Sequence, residues 1–342
     1  MKRIPLWIIG TMCVAMAFFS FIGCEKDSSN TVTPPPAPTS QAIYVLNSLG
    51  ASISTIDLAK DTVFNNLAIV GKWPNQILYY GGNLYVVNSG SNNVQVFDAT
   101  SYALKGAIAL GADNNPMMIA ILSDTKAYVT CSQSNTVKVV NPTSFAVTKS
   151  IAVGVGATGI AIASGKVYVA NTAFNGTNFT YGQGTVTVIS TTADTVVKTV
   201  NVQTNPQGCA VAPDGKVHVV CTGDYATAFG KVVVIDPATD VVSQTVTVGG
   251  SPGNIAISAA GIGYLGTFGA GLITYTSSTG AIKDSSTHPL LAGKDGSGVA
   301  FDLSGNVYVA AFGLDKVIKV DGTNAVKKEY IVGDGPLSLT TK

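Results

Sequence analysis

Gly208-Cys209-Ala210-Val211-Ala212-Pro213-Asp214-Gly215-Lys216-Val217-His218-Val219-Val220-Cys221 reads as a short apolar run, a tight turn and a second apolar run. Asp-Gly between two such runs is a strong hairpin signal, because both residues tolerate the left-handed backbone that a short reversal demands. A third strand is expected over Lys231-Val232-Val233-Val234-Ile235-Asp236, closed by the turn residues Pro237-Ala238-Thr239-Asp240. Val241 to Val248 alternates as a fourth, more exposed strand, and Gly249-Gly250-Ser251-Pro252 leads onward. Four strands joined by tight turns make one antiparallel blade.

Outward from this unit, its second-strand phrase recurs along the chain. It stands as Tyr44-Val45-Leu46-Asn47, Tyr85-Val86-Val87-Asn88, Tyr128-Val129-Thr130-Cys131 and Tyr168-Val169-Ala170-Asn171. It then drifts to His218-Val219-Val220-Cys221, Tyr264-Leu265-Gly266-Thr267 and Tyr308-Val309-Ala310-Ala311. A period of roughly 40–50 residues is that of a propeller blade. First-strand candidates begin near Pro74, Pro116, Gly156, Pro206, Pro252, Gly296 and Pro336. The repeat region opens at Gln41 with a second-strand phrase and ends on Pro336 to Thr341, a first-strand phrase. The fold class expected is therefore all-β: a seven-bladed β-propeller of four-stranded antiparallel blades, closed by the C-terminal strand joining the N-terminal blade. Closure pairs edges that would otherwise stay open. Blades are covered on both faces, which accounts for a hydrophobic content of 46% without a membrane domain.

The Tyr-Val-x-Asn phrase, the Pro213-Asp214-Gly215-Lys216-Val217 hairpin and the Val234-Ile235-Asp236-Pro237-Ala238-Thr239 turn resemble the YVTN family of seven-bladed β-propellers. The resemblance covers residues 41–342. It implies the fold, and it implies a role in surface layers, ligand binding or partner binding. Some lipidated propellers of similar length capture corrinoids for an outer-membrane transporter, and the resemblance extends to anchor and fold. Propeller lactonases are a further similar group, and those need a metal or a charged cluster at the channel mouth.

Residues 1–24 read as an export signal. Lys2 and Arg3 precede an uncharged apolar stretch ending in Phe21-Ile22-Gly23-Cys24, which resembles a bacterial lipobox with Cys24 as the lipidated residue. An uncleaved transmembrane anchor is the competing reading of that stretch. Residues 25–40, polar and rich in proline, read as a tether. Acidic residues just after Cys24 resemble the surface-export tags of some envelope lipoproteins. The protein is thus expected to be exported and held at the cell envelope by a lipid anchor, at the outer membrane, with the cell surface implied only by the resemblance of the acidic tag.

Composition narrows the chemistry. Net charge is +1 and charged residues are 11%, so the basic footprint of nucleic-acid binding is missing. Arginine occurs once, at Arg3, glutamate at Glu25 and Glu329, and histidine at His218 and His288. General acid–base catalysis needs positioned partners of these types. No catalytic residue, metal site or cofactor is therefore implied. His218 stands where the repeat carries tyrosine and reads as a structural variant. Asp57, Asp98, Asp236 and Asp321 recur at turns, where aspartate caps backbone N–H groups. A two-residue turn at Asp214-Gly215 would set Cys209 opposite Val220 and point Cys221 to the other side of the sheet, against a disulfide.

The loops between second and third strands share one face with the linkers between blades. On that face the sequence gathers aromatics and uncharged amides, the lining expected of a site for a neutral or planar ligand. The candidates are Trp73, Asn75, Asn115, Phe174, Phe179, Tyr181, Gln207, Tyr225, Phe229, Phe268 and Phe312. The function expected is a non-enzymatic envelope lipoprotein that binds a small ligand, a sugar or corrinoid-like ring, or an outer-membrane partner protein. The alternatives are a lactonase-like hydrolase and a structural or adhesive surface-layer component.

Overall fold

The computed structural model describes residues 41–342, so the export signal, Cys24 and the tether lie outside the described residues. Seven four-stranded antiparallel sheets follow one another along the chain, with one extra two-stranded ribbon. In the fifth, Pro206–Val211, Val217–Cys221, Lys231–Asp236 and Val241–Thr247 run in order from the inner to the outer strand. The first blade takes its inner strand from the C-terminus. Pro336–Thr341 pairs with Ala42–Asn47, with Tyr44 opposite Thr340 and Val45 opposite Leu339. The expected closure is present.

Each junction between neighbouring blades holds its own apolar cluster, seven in all among the described residues. This explains the unalternating third strands. Val232 packs towards blade six while Val233 and Ile235 pack towards blade four, so both faces of one strand are core. The repeat tyrosines fill the junctions, and Tyr44, Tyr128 and Tyr168 satisfy their hydroxyls across them, Tyr44 on the Ala99 carbonyl, while Tyr308 donates to Asp302 of its own blade. Tyr128 donates to Asp194 at 2.7 Å and Tyr168 to Asp240 at 2.6 Å, each carboxylate also pairing with a lysine, Lys126 or Lys166.

A second ring of bonds runs around the channel. At every junction a side chain of one blade donates to a backbone carbonyl at the start of the next inner strand. The pairs are Ser48 to Pro74, Asn75 to Pro116, Thr130 to Thr158, Thr158 to Pro206, Thr222 to Pro252, Asn254 to Ser297 and Ser297 to Pro336. Buried carbonyls need such partners, and here seven junctions are stitched by one device.

The Cys209 register differs from the sequence expectation. Ala212 donates to Lys216 and Gly215 to Ala212, so the loop is three residues, Pro213 to Gly215, with Gly215 left-handed at φ 83°. The extra residue moves Cys209 opposite Val219 and places it on the same sheet face as Cys221. Both are free thiols in the core between blades four and five. Burial pushes both up to about 12, which keeps them as unreactive thiols.

Candidate functional site

The loops after the second strands and the linkers into the next blades do share one face. Paired backbone bonds fix this: Ser89 donates to Trp73 and Gly90 to Lys72, Ser132 to Asn115, Thr222 to Asn205, and Ser48 to Gly335. Apart from Lys72, the linker residue in each of these pairs has a left-handed backbone. Asn115, Asn205 and Gly335 suit it, whereas Trp73 adopts φ 50° with a bulky side chain. Phe179 at φ 56° and Tyr225 at φ 64° repeat the same anomaly in the loops of blades four and five. Such a backbone is uncommon for non-glycine residues and costs of order 1–3 kcal/mol. Burial does not offset it, because Trp73, Phe179 and Tyr225 are 64%, 59% and 44% exposed. The same backbone occurs at the buried Tyr102, φ 59°, and at the half-buried Phe145, φ 57°, so it belongs to the tight loops of the repeat, and exposure is what sets Trp73, Phe179 and Tyr225 apart.

The structure gathers the candidate aromatics into separate stations. In blade four, Phe174–Asn175 pairs with Thr180–Tyr181 as a small ribbon, which the sequence showed only as a long loop. It brings the rings of Phe174 and Tyr181 to 5.1 Å, Phe174 and Phe179 to 6.2 Å, and Tyr181 to 6.3 Å from Tyr225 of blade five. Phe268 of blade six and Phe312 of blade seven form a second station, edge to face at 6.0 Å. Trp73 stands apart from both and lies on Gly90, where a Cβ would come within 2.8 Å of the indole. Phe229 walls a separate cavity of about 250 Å³ beside the blade-five loop.

The amides divide differently. Asn75 is spent on the stitching ring, donating to the Pro116 carbonyl at 3.0 Å and contacting Met117 Sδ. Gln207 Nε2 donates to Asn205 Oδ1 at 2.7 Å. The Asn115 backbone N–H is held by Asn92 Oδ1 at 2.9 Å, which pins the linker.

Sequence reasoning missed the groups that hold these rings. Asp295 accepts the backbone N–H of Gly269 through Oδ1 and that of Gly313 through Oδ2, the latter at 2.7 Å. One carboxylate thus clasps the residues that follow Phe268 and Phe312, joining two blades at their tips. The repeated Phe-Gly dipeptide was the available signal. Asp224 plays the same part in blade five. It accepts the N–H groups of Ala226, Thr227 and Ala228 and the Thr227 hydroxyl. The Thr227 hydroxyl and these three amides hold its carboxyl well below the usual range. Gly223 makes the tight loop possible, since a Cβ there would lie 1.9 Å from the Ala228 carbonyl.

Blade number, ring closure and one aromatic-studded loop face define a seven-bladed β-propeller whose distinctive residues all stand on one side. A family model described as Domain of unknown function (DUF5074) matches residues 54–260, and the chain belongs to that family. No curated protein matches it. Among solved structures it is similar to hydrazine synthase of Kuenenia stuttgartiensis, at 18% identity over 78% of this chain and 89% of that chain, with a TM-score of 0.65. It is similar also to a quinonprotein alcohol dehydrogenase-like protein of Bacteroides thetaiotaomicron, at 16% identity over 87% and 77% of the two chains, TM-score 0.65. Streptogramin B lyase matches at 12% identity over 78% and 86%, TM-score 0.64. At such identities the shared property is the propeller itself.

Proposed function

We propose that this protein is a non-enzymatic recognition module of the cell envelope, anchored by Cys24 and binding a neutral or planar ligand through its loop face. Its Tyr-Val-x-Asn repeat supports a place beside the YVTN propellers. The observation that carries the functional reading is the presentation of Trp73, Phe179 and Tyr225, three exposed rings on left-handed backbone, all on that one face. Exposed rings flanked by amides and hydroxyls suit the C–H face of a sugar or a flat ring system. Three carboxylates of the face favour binding over catalysis, because Asp224 is engaged with backbone N–H groups of its own loop, and Asp295 and Asp315 with those of neighbouring segments.

Replacing Trp73, Tyr181 and Tyr225 together with alanine tests this. A glycan and cofactor panel should yield a ligand that the wild type binds and the triple variant does not. The melting temperature should stay nearly unchanged, since these side chains contribute little to the junction cores. Binding retained by the triple variant would defeat the assignment.

A further inference from the structure

The cavity beside the blade-five loop differs chemically from the aromatic stations around it. Its wall carries Gln203, Thr204, Thr227, Phe229, Lys231 and Thr247, so an amine, three hydroxyls, an amide and one ring converge on a space of about 250 Å³. That volume sits just below the usual range for drug-sized ligands, which begins at roughly 300 Å³, and suits one six-membered ring with its substituents.

Lys231 is the telling group. Its Nζ donates to Gln203 Oε1 at 3.3 Å, a neutral partner at the long end of hydrogen-bond range. Lys126, Lys166 and Lys216 pair instead with Asp194, Asp240 and Asp214 at 2.6–3.1 Å, and although Lys138 and Lys198 also donate to neutral oxygens, Lys231 is the lysine that lines the cavity. The nearest carboxylate of the loop, Asp224, is already filled by three backbone N–H groups and the Thr227 hydroxyl. A half-buried ammonium beside a neutral amide favours an incoming anion, most of all a carboxylate that can accept from both Lys231 and the Gln203 amide. Phe229, 58% exposed, offers a flat wall for the C–H face of a ring. The wall is pre-formed, because Asp224 also donates its own N–H to the Ala228 carbonyl at 3.1 Å and Gly223 admits the close return of the chain. Pre-formed walls lower the ordering cost of binding.

We propose that this cavity binds the carboxylate-bearing ring of an acidic monosaccharide unit, with Lys231 taking the carboxylate and Phe229 stacking on the sugar. The assignment rests on the loop-face reading above and deepens its sugar alternative, adding an anionic subsite to a face otherwise lined for neutral ligands.

Titration calorimetry of the full chain with D-glucuronate, D-glucose and benzoate tests it. Glucuronate is expected to bind at least about tenfold tighter than glucose, the ratio of one charge-assisted hydrogen bond, and the preference should shrink at high salt. Benzoate shares the carboxylate and lacks the hydroxyls, so glucuronate should also exceed benzoate. Lys231→Gln should erase the preference over glucose, and Phe229→Ala should weaken both sugars with an unchanged unfolding midpoint. Thr247→Val is a second variant, expected to weaken glucuronate without touching benzoate. Absence of glucuronate binding, or a preference that survives Lys231→Gln, overturns the proposal, and equal binding of benzoate overturns the sugar assignment. If glucuronate fails while the triple aromatic variant still loses its panel ligand, the cavity inference falls alone. If glucuronate binds as stated while the triple variant keeps its panel ligand, the broader reading falls alone.

Discussion

His218 stands where the other six blades carry tyrosine, and its surroundings have been rebuilt to suit it. Its Nδ1 lies 2.9 Å from the Tyr275 hydroxyl of blade six, and the Tyr275 ring occupies the space over Gly263, where a Cβ would fall 2.2 Å from the ring. Nε2 is buried with no protein partner. Desolvation pushes the imidazole down from 6.5 to about 4, with Lys216 adding to the shift and Asp214 opposing it. An unfolded chain would take up this proton near pH 6.5, whereas the folded one resists until about pH 4. Stability is therefore whole above pH 6.5 and is lost as the pH falls from 6.5 towards 4. The loss is on the order of 3 kcal/mol when complete. Carboxylates such as Asp98 and Glu329, held near 2 by hydrogen bonds, add their own loss at lower pH. Comparing urea midpoints of the wild type and His218→Phe at pH 7 and pH 4.5 isolates the histidine. The wild type should lose more on acidification than the variant. Parallel losses would show that His218 does not control acid stability.

At the scale of elements, the loop face is built from short tips that side-chain carboxylates hold in place. Asp295 shows the logic most simply, because its two oxygens fix the N–H groups after Phe268 and Phe312 on different blades. Removing the carboxylate frees both tips while leaving the junction cores untouched. Asp295→Ala should therefore raise hydrogen exchange at Gly269 and Gly313 by tenfold or more, with protection in Ile262–Thr267 and Val307–Ala311 unchanged. Unaltered exchange at the two glycines would remove the clasp from the account. The blades themselves were open to sequence reading because each depends on local signals. Asp57 accepts the N–H groups of Ala59 and Lys60, and Asp98 those of Thr100 and Ser101, as turn aspartates were expected to do. The clasp was not legible, since Asp295 lies 26 residues from Gly269 and 18 from Gly313 and meets them only once blades six and seven dock. Cys209 was misplaced for a smaller reason: Asp-Gly marks a two-residue and a three-residue reversal equally well. Which aromatics would meet was hidden by the ribbon in the fourth-blade loop, whose pairing leaves no periodicity in the sequence.

Over the whole molecule, the last inner strand carries more of the fold than its six residues suggest. Pro336–Thr341 completes the first sheet, its Pro336 carbonyl accepts from Ser297, and Ser338 and Thr340 accept the backbone N–H groups of Ile77 and Tyr79. One segment thereby ties blades seven, one and two together. Without it, Ala42–Asn47 becomes an open sheet edge, and the stitching ring loses its seventh link. An unpaired apolar edge is a template for association between chains. A chain ending at Gly335 should therefore elute as aggregate and lose its cooperative unfolding transition. By contrast, trimming the Phe174–Tyr181 ribbon to a short turn should alter the free energy of unfolding by no more than about 1 kcal/mol, since loop-closure entropy varies slowly with length. Leu339→Ala, at a nearly buried position of the same strand, gives the graded case with an expected cost of about 2–3 kcal/mol. Size-exclusion chromatography and denaturant unfolding of the three variants decide between closure and mere decoration. A monomeric, cooperatively folded chain ending at Gly335 would mean that six blades and a partial seventh sheet suffice, and that the ring does not depend on its final strand.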